Sequence, residues 1–262
     1  MPTVTLTARV YNDSHFDLIR KNLKANFEGL KVETRICGVT PRGWVQVSVS
    51  GEDEIVALHY LESKIGLCPT SLNEVEKFSN IKGYVTAVDK GKDELAIDVG
   101  VASPAGVDAV ITLQRLQVQL SDGRKTALKK LVALYGFCDN LPLTLKVLSV
   151  DKDGGRIEAE LSENQQKLFR DWTASLLDRL LVLGASLEGI KLALEMAGFS
   201  RDVVGIESLG MFEYAVVCKF GTDAAGLIPR VGRNLTRAAF SIFSPKRILN
   251  FLEEKPALPV SK

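Results

Sequence analysis

Four cysteines and two histidines are the residues best suited to metal or nucleophilic chemistry, and their spacing argues against both. Cys37, Cys68, Cys138 and Cys218 lie far apart, with no Cys-x-x-Cys pair and no zinc-ligand spacing to His15 or His59. Scattered cysteines read as buried thiols, and a histidine without a carboxylate or thiol partner reads as a surface or boundary residue. Asp151-Lys152-Asp153-Gly154-Gly155 begins like a calcium loop. Its fifth position is glycine, its glycine is misplaced, and Ala159 to Ser162 put no glutamate at the closing position. A hairpin turn accounts for it better. The loop Gly221 to Pro229 could hold an anion with Thr222, Asp223 and backbone amides, which would suit a small-molecule enzyme. It lacks both nucleotide-binding glycine patterns. The expectation is a protein with no catalytic constellation, no metal and no cofactor.

Phosphate binding is the chemistry that the charges suit. The formal net charge of +1 is unevenly spread. Between Val110 and Cys138, Arg115, Arg124, Lys125, Lys129 and Lys130 face Asp122 alone. Between Ala224 and Leu252, Arg230, Arg233, Arg237, Lys246 and Arg247 have no acid among them. Segregation of this kind is an electrostatic footprint for a polyanion, against the plainer reading of a solvated face.

The elements that must position these groups are those of an α+β chain. At 262 residues it suits two or three domains. Alternation at Val4, Leu6, Ala8 and Val10, then helical spacing of Phe16, Ile19, Leu23 and Phe27, start a β-α-β-β-α order over residues 1–68. That order is most of a ferredoxin-like sandwich. Residues 78–162 read as a small five-stranded barrel. It opens IKGYVTAV and closes with a hairpin at Asp153-Gly154 between two alternating runs. A basic helix over about 126–135 is expected beside it, with Leu128, Leu131, Val132 and Tyr135 inward and the lysines outward. A capping box at Ser162 to Gln165 opens a linking helix over 163–183. Its stripe of Leu168, Phe169, Trp172, Leu176, Leu180 and Leu183 would pack between domains or form a homodimer seam. A basic C-terminal α+β domain follows over 184–262. A faint repeat relates VVGIESLG and its sequel to the barrel's opening, which would make a second barrel-like unit.

The run from Ile81 to Leu161 resembles the OB-type RNA-binding domain of the ribosomal-protein and polynucleotide-phosphorylase class. The resemblance implies RNA contact on a strand face and its loops, here Lys82, Tyr84, Lys90, Lys92 and Arg115. Typical members carry stacking aromatics near the first strand turn, whereas Lys90 to Leu95 has no ring. Through VVCKFGTDAAGLIPRVGR, Val216 to Arg233, the whole chain resembles an archaeal family, domain of unknown function 2110. The resemblance supplies no catalytic residues. It implies a cytoplasmic, ribosome-associated RNA-binding factor, with the small subunit or ribosomal proteins as partners. The alternative is a protein-interaction module on RNA polymerase or a processing complex. The start MPTVTLTARV enters a strand pattern with no signal peptide, and no apolar run is long enough to span a membrane.

Overall fold

Alternating apolar residues build three β-systems in succession, and the computed structural model describes them over residues 2–86, 93–103 and 106–253. The first contains β1 (Thr3–Arg9), α1 (Ser14–Asn26), β2 (Val32–Val39), β3 (Trp44–Gly51) and α2 (Glu54–Lys64). Its antiparallel sheet has the order β1-β3-β2. Leu6, Ala8, Val45, Val47 and Val49 meet Ile19, Leu23 and Leu61 of the helices in one core. After α2, Gly66 stops the helix at φ +94, and Leu67 bridges Leu6 along the free edge of β1. A fourth strand of a ferredoxin-like sheet belongs at that edge, so the expected order holds with its last strand reduced to a bridge.

The second system is a closed barrel of β4 (Asn80–Thr86), β5 (Glu94–Asp98), β6 (Asp108–Thr112), β7 (Pro142–Asp151) and β8 (Arg156–Leu161), in the order β4-β5-β6-β8-β7. β6 and β8 pair in parallel, and β7 closes on β4. This is the strand order of an OB-type barrel, with helices between the third and fourth strands. Two helices fill that connection, α3 (Leu113–Leu120) and α4 (Leu128–Tyr135). The hairpin of β7 and β8 stands where it was expected, but its turn differs. Asp151 pairs with Arg156, and the positive φ of +62 falls on Gly155 rather than at Asp153-Gly154.

The linking helix is shorter than its apolar stripe predicts. α5 (Glu163–Ala174) ends before Leu176, which takes a left-handed φ of +58, and Arg179–Leu183 is a strand, β9. The five residues of β9 are all buried. Leu180 and Val182 face the helices of the third system, while Leu181 and Leu183 join the barrel's core. Each such side chain contributes about 1.5–3 kcal/mol on burial. A strand covered on both faces shows no alternation, so its leucines extend the helical stripe by accident.

The remaining elements are α6 (Leu187–Met196), β10 (Val203–Ser208), β11 (Glu213–Cys218), α7 (Ala224–Asn234), β12 (Ala239–Phe243) and α8 (Pro245–Glu253). The sheet order β10-β11-β9-β12 is antiparallel throughout. With β9 included this is a complete βαββαβ ferredoxin-like unit, not a second barrel. α6 and α7 cover one face of the sheet. The other face carries Ala215 and Phe243 into the barrel's core, together with Phe169 and Trp172 of α5. Those two aromatics are therefore interior residues and leave no stripe for a dimer seam.

Candidate nucleic-acid interface

Leu128, Leu131, Leu134 and Tyr135 bury one face of α4, which turns Lys129 and Lys130 outward, with exposed Lys125 just ahead of the helix. Gly136 ends α4 at φ +67. A Cβ there would lie 2.6 Å from the Ile242 carbonyl oxygen, so glycine lets the helix end meet β12. At the other end, the Lys130 ammonium sits 4.6 Å from the centroid of the Phe251 ring. Arg124 donates to the carbonyls of Phe251, at 3.0 Å, and Leu252, at the C-terminus of α8. These contacts at opposite ends make α4 and α8 antiparallel neighbours.

The pairing unites two clusters that are far apart in the chain. Lys125, Lys129 and Lys130 lie at the end of this helix pair that holds the C-terminus of α8, and Lys246 and Arg247 lie toward the other end, in the first turn of α8. α5 packs on α8 as well and adds exposed Lys167 and Arg170. Neither was selected from sequence, although both lie opposite the inward Phe169 and Trp172. Among the described residues Lys125, Lys129, Lys246 and Arg247 make no ion pair. Cations in the first turn of a helix oppose its dipole, so Lys246 and Arg247 do not stabilise α8. A phosphate there would meet both the cations and the positive helix end.

The other cations divide. Arg230 and Arg233 are exposed on α7, across the C-terminal sheet from α8, with Arg230 stacked 5.6 Å from the Phe199 ring centroid. Arg237 lines a cleft with Asn12 and His15 of the first domain. Arg115 pairs with Glu160 at 3.3 Å. Lys90 and Lys92 lie outside the described residues. The Gly221 to Pro229 loop is mostly helix: Asp223 caps the Ala225 amide at 3.0 Å, and α7 runs on through Pro229. Its first-turn amides are thus taken up by the cap and the helix.

The barrel's own ligand face is acidic. In OB-type barrels the second and third strands bind oligonucleotides. Here β5 and β6 turn Leu95, Ile97, Ala109 and Ile111 inward, so alternation puts Glu94, Ala96, Asp98, Asp108, Val110 and Thr112 outward. β8 adds Glu158 and Glu160, and its Arg156 is taken up by Glu94 at 3.3 Å and Glu158 at 3.5 Å. These acids are paired with Arg9, Arg42, Arg115 and Arg156, so the arginines of this face are engaged by carboxylates rather than offered to phosphates. Tyr84 corrects the expectation most directly. It is fully buried, its ring 5.1 Å from that of Trp44, and cannot stack on a base. The first domain covers this end of the barrel. Arg9 binds Asp98, Trp44 Nε1 donates to Asp98 at 2.9 Å, and Arg42 bridges Asp98, at 3.2 Å, and Asp108.

Three family models cover nearly the whole chain: the DUF2110 N-terminal domain at residues 3–71, the central domain at 75–173 and the C-terminal domain at 177–243. The chain belongs to the DUF2110 family. No curated protein matches it. Two archaeal structures are similar at low scores. One is the a/eIF2alpha-aDim2p-rRNA complex from Pyrococcus horikoshii OT3, at 14% identity over 47% of this chain with a TM-score of 0.26. The chain spans 64% of that chain's length. The other is the intact alpha subunit of aIF2 from Pyrococcus abyssi, at 12% identity over 64% of this chain and 96% of that one, with a TM-score of 0.25. No helix among the described residues is long and apolar enough to cross a membrane.

In this DUF2110 protein the three folded units meet at a buried polar junction. Glu213 of β11 is wholly buried and accepts from Tyr11 at 2.6 Å, Tyr84 at 3.3 Å and the Phe212 amide at 3.3 Å. Burial raises its pKa, and these hydrogen bonds offset only part of the rise. His15 stacks on Phe212 at 3.7 Å, and burial lowers its pKa to about 4. The junction predicts a specific pH dependence. The folded chain holds the Glu213 proton where an unfolded chain has released it. That stabilisation is therefore complete below the ordinary carboxylate range and is lost as pH rises through the elevated value. Glu213→Gln keeps an acceptor for Tyr11 and removes the titration. The stability of the variant relative to wild type should therefore rise with pH, while the opposite slope from His15 is common to both and cancels. Parallel thermal-unfolding midpoints from about pH 5 to 9 would show that Glu213 does not titrate with folding.

Proposed function

We propose that the protein is a non-catalytic RNA-binding factor that holds phosphates on the α4–α8 helical layer and works on ribosomal particles, chiefly the small subunit. One observation carries this reading: Lys125 and Lys129 at one end of the packed α4–α8 pair, and Lys246 and Arg247 in the first turn of α8, are exposed and make no ion pair among the described residues. The β5–β6 face supports it, because the arginines there are engaged by Asp98, Asp108, Glu94, Glu158 and Glu160. The buried carboxylates Asp98 and Glu213 are hydrogen-bonded and closed to solvent, which supports a structural part for them rather than acid–base work. Several weak contacts on linked domains add through effective concentration. That would compensate for the absent stacking aromatics.

A second reading, a docking module on RNA polymerase or a processing complex, is favoured by the use of the barrel face for protein contact through Arg9, Arg42 and Trp44. A sucrose gradient of native lysate separates the two. The protein should sediment with ribosomal particles at low salt and move to the top at high salt. Confinement to the top fractions at low salt, with RNA polymerase subunits in the pull-down, would replace the ribosomal assignment with the second.

A further inference from the structure

A cavity of about 200 Å³ opens between the barrel and the C-terminal unit, apart from the basic helical layer. Leu143, Leu168, Phe169 and Leu181 give it an apolar wall. Three further lining residues, Lys82, Gln165 and Trp172, carry donors, and of these the Trp172 indole is the one buried without a partner. The Gln165 carboxamide is oriented by the Thr144 amide, which donates to its Oε1 at 3.0 Å, so its NH2 is the free end. Gln165 was expected to close the capping box from its side chain. Only the Ser162 half of that box forms, and the Gln165 side chain is committed to the cavity wall instead. The Lys82 ammonium makes no hydrogen bond or ion pair among the described residues. Glu207 also lines the space, but Arg179 holds it at 3.4 Å.

Buried donors in folded proteins are nearly always satisfied, and the Trp172 N–H is an exception that asks for a partner outside the chain. An ammonium, a primary amide and an indole are all donors, and an ionised carboxylate accepts from all three without donating, while its organic body suits the apolar wall. An apolar space of about 150 Å³ already accommodates benzene. We infer that this cavity is a binding site for a small organic carboxylate, its apolar body against Leu168 and Phe169 and its oxygens toward Lys82, Gln165 and Trp172. Burial disfavours the Lys82 charge and nearby Glu213 offsets only part of that, so a bound anion would add a further counter-charge.

The indole N–H of Trp172 reports directly on the test, with that of Trp44, bonded to Asp98, as the internal control. Benzoate and isovalerate, titrated to about 20 mM into the full-length ¹⁵N-labelled protein, should move the Trp172 indole proton downfield along a saturable curve and leave Trp44 in place. Lys82→Met should weaken that binding about tenfold or more, as should replacing benzoate by benzamide, because each removes one side of a charge-assisted contact. Trp172→Phe keeps the cavity wall and should weaken binding read by calorimetry. An unshifted Trp172 resonance with both carboxylates, or equal affinity for benzamide and benzoate, overturns the assignment. So would an RNA oligonucleotide that moves this resonance where the carboxylates do not.

Discussion

Asp98→Ala should cost the protein about 3–5 kcal/mol of stability, the largest single loss expected anywhere in the fold. The carboxylate is fully buried at the end of β5 and serves four groups at once. It pairs with Arg9, accepts from Trp44 Nε1 at 2.9 Å and from the Gly100 amide at 3.0 Å, and lies 3.2 Å from Arg42. Arg9 is itself nearly buried, with Asn140 at 2.5 Å and the rings of Trp44 and Tyr84 about it at 5.3 and 5.0 Å. Truncating Asp98 leaves that guanidinium inside without its counter-charge, and the desolvation already incurred is no longer offset. Urea unfolding followed by the fluorescence of Trp44 should show the loss. Replacing both partners, Arg9→Met with Asp98→Leu, should recover much of it, since an apolar pair of similar bulk leaves no charge behind. A single-variant loss below about 1 kcal/mol would mean that water reaches Arg9 and that the first domain is not locked to the barrel by this pair.

How far the fold was legible depended on how many faces each element buries. β6 to β8 alternate between buried and partly exposed positions over most of their length, which marks them in the sequence, and the third-to-fourth strand connection reads as helical over about 126–135. α3 before it does not, because Leu116, Val118 and Leu120 alternate like a strand while Val118 is 64% exposed on a helix. β9 is buried on both sides and lost its signature to a helical one. The first half of α7 reads as a loop in the sequence because Gly226 and Pro229 both disfavour helix interiors. Pro229 is tolerated there on the exposed side, while Ala224, Leu227 and Val231 bury the other. The candidate site was legible as cations but not as a surface. Nothing local says that residue 130 lies against residue 251, since that contact follows from how the C-terminal sheet sits on the barrel. The acidity of the barrel face was within reach. Once the strands were assigned, their outward positions read Glu94, Asp98, Asp108, Glu158 and Glu160.

Reversing Lys125, Lys129, Lys246 and Arg247 to glutamate should weaken RNA binding by about 10²–10³-fold near 0.1 M salt without unfolding the protein. Each phosphate contact on a single strand contributes roughly 0.7 to the slope of log affinity against log salt. At about 0.1 M that slope is also some 0.7 of a decade in affinity per contact, so four contacts amount to nearly three decades. The slope itself should fall by about 3 in the same variant. Lys130 is left unchanged because its ammonium rests on the Phe251 ring, and altering it would disturb the seating of α8. The four chosen side chains are exposed, and circular dichroism should therefore report an intact fold. Two controls make the result specific to this surface. Arg230→Glu with Arg233→Glu changes the same kind of charge across the C-terminal sheet, and should alter affinity by less than about tenfold. Glu94→Gln with Glu158→Gln removes acids from the barrel face and should leave binding unchanged or slightly tighter, because Arg156 is then no longer engaged by them. If the four-site variant folds and binds as wild type does, the α4–α8 layer is a solvated face. A loss confined to the barrel-face variant would instead return RNA to the strands, with Glu94 and Glu158 acting as acceptors for bases rather than only as partners of Arg156.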